Sequence, residues 1–356
     1  MGIVCFRSAL LFVLAGGITA CGGGGSSTTD PVITPPVVVA PDYSAILAEI
    51  DRHSVADMGF MIGDANGVLV STEKGNFTFD DTIRLASASK LLTGLAVWSL
   101  VETGEISLSD TTADLIVDWP AASGEDDVTV SHLMSFTSGF NATAAQTSCA
   151  GNPLRSLEGC VLSIAEGGPD APAGETFSYG PEHMQIAALM ARSATGDELS
   201  DTLRQNILNP VGASDATGFF SGENTRYSGF ATGTTNDYAK VLQALLAGSL
   251  LTDTTGFLTD RSKTTEIFYS PVEEYTAPLD WHYGFGFWIE CDLIPFNDSC
   301  AANPTISSTG LFGFTPWVDF ETGYWAIIAM DAQGAAEAST VLQQTLQPMI
   351  ETALSP

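Results

Sequence analysis

The chain has 356 residues, 45% of them hydrophobic, and a formal net charge of −30 from 42 acidic and 12 basic residues. Length and apolar content suit one large domain or two subdomains sharing a core, and exclude global disorder. The acidic excess makes nucleic acid and anionic lipid poor partners for the body of the chain, so no nucleic-acid role is expected.

At the N-terminus, Arg7 precedes a short apolar run, ALLFVLAGG at 9–17, and then Ile18-Thr19-Ala20-Cys21. The run is too short to span a bilayer and reads as a signal segment over 1–20. The ITAC string resembles the lipobox of bacterial lipoproteins, which implies cleavage before Cys21 and acylation of that cysteine. The other reading is an ordinary signal peptide with a chance cysteine. Residues 21–42 are rich in Gly and Ser, then Pro and Val, and read as a tether. The chain is therefore expected in the bacterial cell envelope, facing the periplasm or exterior and held to a membrane through Cys21.

The remaining 43–356 form the domain. Tyr43 to His53 has helical apolar spacing. Met58 to Leu69 and Gly75 to Ile83 read as strands around the Asp64-Ala65-Asn66-Gly67 turn. Ser87 to Glu102 is a helix apolar on nearly all sides, hence buried. From about 106 to 279 the pattern is helical segments and long loops. Tyr283 to Glu290, Gly313 to Phe320 and Trp325 to Met330 read as strands, and Val341 to Leu354 as a closing helix. The expected fold is α+β: an antiparallel sheet built from both chain ends (about 43–105 and 280–356) and flanked by helices, with a mainly helical subdomain (about 106–279) inserted. Besides Cys5 in the signal segment and Cys21, four cysteines remain, which allow three pairings. Their near-neighbour spacing favours Cys149–Cys160 and Cys291–Cys300. No His/Cys cluster has metal-ligand spacing, and no cofactor is expected.

The chemistry centres on Ser87-Ala88-Ser89-Lys90, an S-x-x-K at a helix start. Positions i and i+3 share a helix face, so hydroxyl and amine can meet. A helix N-terminus favours developing negative charge, and a buried lysine loses its proton more easily. A second S-x-x-K, Ser71 to Lys74, lies in a polar hairpin and is assigned to the surface. The four histidines show no catalytic pattern: His132 reads as structural; His183, four residues after Tyr179, reads as a surface residue, with pocket lining the alternative; and His53 and His282 have no partner in the sequence.

The segment IRLASASK at 83–90 resembles the FRIASxSK segment of class C β-lactamase-like serine hydrolases, a family of penicillin-binding proteins, DD-peptidases and family VIII carboxylesterases. HLMSFTSGF (132–140), PAGETFSYGP (172–181), NPVGA (209–213), YGFGF (283–287) and STGLFGFTPWVDFET (308–322) resemble its later motifs in order. The resemblance implies a β-lactamase/transpeptidase-like fold, Ser87 as nucleophile, Lys90 sharing its proton, and Tyr179 as the base and acid of motif two. It implies an oxyanion hole from the amides of Ser87 and Leu311, and a substrate-binding third motif at Ser308, Thr309 and Gly310. A lysine charge beside Tyr179 would lower its pKa from about 10. Two departures stand out. Pro181 replaces the usual Asn after the tyrosine, and Ser308 replaces the Lys or His that opens motif three. Both remove groups that hold a β-lactam or D-Ala-D-Ala substrate. The expected activity is hydrolysis of a small-molecule or oligomeric ester, or a related amide, through acyl-Ser87. A DD-peptidase or β-lactamase, and an inactive binding lipoprotein, are the alternatives.

Overall fold

A computed structural model describes residues 40–120, 127–141, 148–220 and 222–355. The expected signal segment, Cys21 and most of the tether lie outside the described residues. The domain opens with α1 (Ser44–Arg52), β1 (Met58–Asp64), β2 (Gly67–Lys74), β3 (Ile83–Arg84), a 3-10 turn at Ala86–Ala88 and α2 (Ser89–Thr103). Its middle holds α3 (Thr112–Leu115), α4 (Val130–Met134), α5 (Leu157–Gly167), β4 (Thr176–Ser178), α6 (Glu182–Thr195) and α7 (Leu199–Leu203). There follow β5 (Gly218–Phe219), β6 (Ala231–Gly233), α8 (Thr235–Leu246), α9 (Thr254–Phe257) and β7 (Glu266–Tyr269). The chain closes with β8 (His282–Tyr283), β9 (Trp288–Ile289), β10 (Thr305–Ser307), β11 (Thr315–Asp319), β12 (Tyr324–Ala329) and α10 (Ala336–Leu354).

The main sheet runs β2-β1-β12-β11-β10-β9-β8, antiparallel throughout, so both ends of the domain build it as expected. Strand periodicity sends alternate residues to opposite faces. Phe60, Ile62, Tyr324, Ala326 and Ile328 pack with Ile46 and Ile50 of α1 and Leu342, Leu346 and Ile350 of α10. Met61, Trp325, Ile327 and Ala329 face the other way, into the core shared with α2 and the helical middle. With both faces covered, β12 reads YWAIIA without polar alternation. Helix α2 is buried continuously from Ser89 to Leu100 and stops at Gly104, which takes the left-handed cap.

Three expectations change. Residues 75–82 are not a strand: Gly75 turns the chain at φ +69°, and Asp57 and Asp81 accept the amides of Asn76 and Thr78. The aromatic content there serves packing of Phe77 against Phe79 and over Gly59, where a Cβ would lie 2.5 Å from Phe77. Tyr283 to Glu290 is not one strand but the β8–β9 hairpin, closed by Gly284 N–H to Phe287 O at 3.0 Å with Gly286 at φ +91°. The closing helix begins at Ala336, five residues before the apolar pattern, because Ser339 and Thr340 are buried polar residues facing β11 and Thr309. Disulfides Cys149–Cys160 and Cys291–Cys300 form as favoured by spacing, although Cys160 sits inside α5 and not in a loop.

Candidate active site

Strand β3 pairs with β6, and Leu85 N–H bonds Ala231 O at 3.1 Å. Ala86 then adopts φ +46°, a strained value for a residue with a Cβ, and drops the chain into the 3-10 turn that holds Ser87. One turn on, Lys90 is 4% exposed. Its Nζ lies 2.9 Å from Ser87 Oγ and donates to Ser228 O at 2.7 Å. The segment carrying Ser228 is tied to α2 by Thr93 Oγ1 to Tyr227 O and by Ala231 N–H to Ser89 Oγ. Burial, reinforced by the Arg226 charge and opposed by Glu182, brings the Lys90 pKa down to about 7. At neutral pH a large fraction of Lys90 is therefore the free amine, with a lone pair available to the serine proton.

Tyr179 follows β4, where Ser178 N–H bonds Phe136 O and Tyr179 N–H bonds Tyr269 O, both at 3.0 Å. Its ring stacks on Trp288 at 5.3 Å and meets Phe136 edge-on at 5.4 Å. The side chain shares the cleft with Ser87, and Lys90 Nζ is 4.5 Å from the ring centroid. The structure thus gathers Ser87, Lys90 and Tyr179. It corrects the expected fall in the tyrosine pKa: burial in this aromatic box pushes Tyr179 well above the ordinary tyrosine range, and the Ser87 hydroxyl only partly opposes that. Lys90 is itself depressed and brings less positive charge than expected.

Motif three forms the turn between β10 and β11. Gly310 packs against the nucleophile strand so closely that a Cβ would lie 2.3 Å from Leu85 O. Arg84, paired with Asp331, lays its guanidinium 3.6 Å from the Phe312 ring and fixes the turn from outside. The Leu311 amide bonds no carbonyl or side chain among the described residues, and Ser87 occupies the first turn of its helix, where amides lack intrahelical acceptors. Both suit an oxyanion site. Ser308 departs from the expected binding role: it is buried and donates to Ser87 O at 2.9 Å, so its hydroxyl braces the Ser87 backbone. Gly310 is likewise behind the wall; of the expected trio only Thr309 lines the cleft. Gly310→Ala is expected to push the turn outward and lower kcat on p-nitrophenyl butyrate by about 10-fold or more, in a protein whose melting shows it folded; unchanged turnover would refute this role for the close approach.

The cleft over Ser87 encloses about 420 Å³, bounded by Tyr179, Pro181, Arg226, Phe230, Trp288 and Leu311 among others. A groove of about 550 Å³ near Asp260 and Asn303 holds no such nucleophile and amine pair; its Lys263 is tied to Asp298 at 2.8 Å. His183 is not a surface residue. It is fully buried, stacks on Phe136 at 4.7 Å, and bonds Ser138 Oγ and Ser178 O, each at 2.8 Å. His132 is structural as expected, accepting Thr129 N–H in a capping box. His282 does have a partner, Asp260 at 2.5 Å, too far along the chain to be seen in sequence. Arg226, Glu182, Ser228 and Trp288 were not singled out by the sequence.

The family profile described as Beta-lactamase matches residues 44–345. The chain belongs to the beta-lactamase family. It is accordingly a serine hydrolase, and its fold is shared by solved structures. One is a putative beta-lactamase from Bacteroides dorei, 22% identical with TM-score 0.71, covering 87% of this chain and 99% of that one. EstCE1, described as a hydrolase with promiscuous acyltransferase activity, is 16% identical with TM-score 0.67, covering 86% and 96%. Among sequence relatives, penicillin-binding protein 4 of Amycolatopsis lactamdurans is 29% identical over 43% of this chain and 41% of its own length. Monacolin J acid methylbutanoyltransferase of Aspergillus terreus is 31% identical over 39% of this chain and 38% of its own length. The matches thus span about two fifths of these curated relatives.

Proposed function

We propose that this beta-lactamase-family chain hydrolyses carboxylic esters through an acyl-Ser87 intermediate. The observation that carries this is the Lys90 amine, depressed to about 7 and 2.9 Å from Ser87 Oγ, with Tyr179 in the same cleft. Ser87 Oγ attacks the ester carbonyl carbon and passes its proton to Lys90. The carbonyl oxygen takes up the negative charge facing the Ser87 and Leu311 amides, a preorganised arrangement worth several kcal/mol. As the carbon–oxygen bond breaks, Tyr179 donates its proton to the departing alkoxide and is reprotonated by the Lys90 ammonium. Water then attacks the acyl-serine with Lys90 again taking a proton, which regenerates Ser87 and releases the acid. The acyl-transferring names among the relatives support an acyl-enzyme route.

Pro181 and Ser308 favour esters over β-lactams. Pro181 lines the cleft with no side-chain donor, and the Ser308 hydroxyl is engaged with Ser87 O. Losing a charge-assisted hydrogen bond costs about 1.5–3 kcal/mol, or about one to two decades in rate if it acts in the transition state. The expected result is a higher kcat/KM for p-nitrophenyl butyrate than for a chromogenic cephalosporin. The opposite order would support the β-lactamase alternative. The reading also places the chain at the cell envelope through acylated Cys21. Cys21→Ala is expected to abolish acyl labelling and release the protein from membrane fractions, and persistence of both would rule out that anchor.

A further inference from the structure

Among the described residues, the wall of the Ser87 cleft carries two basic side chains, Lys90 and Arg226, and no carboxylate. In a chain with 42 acidic and 12 basic residues that is a local reversal of charge. Lys90 is accounted for by Ser87 and Ser228. Arg226 is not. Arg52, Arg84 and Arg192 each hold a carboxylate, and Arg204 and Arg261 hold backbone carbonyls. Arg155 is exposed. Arg226 alone is partly buried with a guanidinium that makes no hydrogen bond or ion pair among the described residues; its nearest aromatic contact is the Phe230 ring, 5.8 Å away. A guanidinium presents five donors in a fixed fork, and burying it unpaired is costly.

Glu182 is the counter-charge, but it does not use those donors. It is fully buried behind the cleft wall, and neither of its oxygens has a hydrogen-bond partner among the described residues. His183 Nε2, 3.1 Å from Glu182, is bonded to Ser178 O instead. The carboxylate acts on Arg226 and Lys90 through space. It keeps the guanidinium charged while leaving its fork free toward the cleft.

We infer that Arg226 forms a subsite for a carboxylate carried by the substrate, so that the ester cleaved at Ser87 bears an acidic arm. The inference rests on the acyl-Ser87 reading for its reaction and on Arg226 for its specificity. A cephalosporin also carries a carboxylate, but its turnover still lacks the amide donors missing at Pro181.

The test compares p-nitrophenyl hydrogen glutarate with p-nitrophenyl valerate, in which a methyl replaces the carboxylate. Both are measured at pH 9, about two units above Lys90, and the ratio of the two esters cancels any change in Lys90 protonation that loss of the Arg226 charge brings. The wild type is expected to favour the glutarate ester in kcat/KM by about 10-fold or more, the size of one charge-assisted hydrogen bond. In Arg226→Gln the glutarate-to-valerate ratio should fall by about that factor, and Arg226→Lys should recover part of it. No preference in the wild type, or the same ratio in Arg226→Gln, overturns the subsite. If neither ester is turned over, the esterase reading fails, and free glutarate decides the subsite separately. A rise in melting temperature with glutarate in the wild type that is absent in Arg226→Gln upholds it; no rise in the wild type removes it.

Discussion

Replacing Ser87 by alanine is expected to lower kcat on p-nitrophenyl butyrate by about 10,000-fold or more, while Ser71→Ala stays within about twofold of wild type. The two serines head the same S-x-x-K spacing, and the fold separates them completely. Ser87 lies in the turn before a buried helix, with an amine 2.9 Å away and the Tyr179 phenol in the same cleft. Ser71 is exposed on β2, opposite Met61 in register. Its lysine, Lys74, reaches across to α1 and donates to Asp51 O at 2.8 Å and His53 O at 2.5 Å, satisfying the last carbonyls of that helix. Lys74 is thus a capping cation with no route to a serine hydroxyl. A fluorophosphonate probe gives an independent readout: the adduct should map to Ser87 and vanish in Ser87→Ala. Turnover or labelling that survives there, or is lost in a folded Ser71→Ala protein, would overturn the choice of nucleophile.

What the sequence made legible was what local pattern encodes. Helix α2 announced itself through continuous apolar character, because a helix buried on every side has no polar face to interrupt it. Strands β1, β11 and β12 were visible because both sheet faces are covered there. Ser87, Lys90 and Tyr179 were legible through ordered motifs. What stayed hidden depends on contacts between distant segments. The first five residues of α10 were missed because their buried face is made of Ser339 and Thr340, whose partners are Thr315 and Thr309. His282 meets Asp260 across 22 positions, and no spacing rule announces that. Arg226 and Glu182 look like ordinary charged residues until the fold places one in the cleft wall and the other behind it. The direction of the Tyr179 shift was misjudged for a related reason. The lysine beside it was visible in the motif, but the aromatic box around it brings together Phe136 and, from the distant β8–β9 hairpin, Tyr283 and Trp288.

The pH dependence follows from which of the two groups is the base. The acid limb of kcat/KM is expected near pH 7, the value to which burial and Arg226 bring Lys90. Below it the amine is an ammonium without a lone pair, so the rate should fall about tenfold per pH unit. Above it the amine is free and the rate levels off. Tyr179 acts as the protonated phenol, and burial raises its pKa, so no alkaline fall is expected below about pH 10. The charged groups acting on Lys90 are Arg226 and Glu182, and they set opposite signs. A carboxylate stabilises the ammonium, so Glu182→Gln should lower the Lys90 pKa and move the acid limb below 7. A guanidinium destabilises the ammonium, so Arg226→Gln should move the limb above 7. Initial rates on p-nitrophenyl butyrate from pH 5 to 10, corrected with Ser87→Ala as background, read both shifts. A single limb near the ordinary tyrosine value, indifferent to Glu182→Gln, would make Tyr179 the base and Lys90 its helper. Limbs that move apart in the two variants would assign proton acceptance to Lys90.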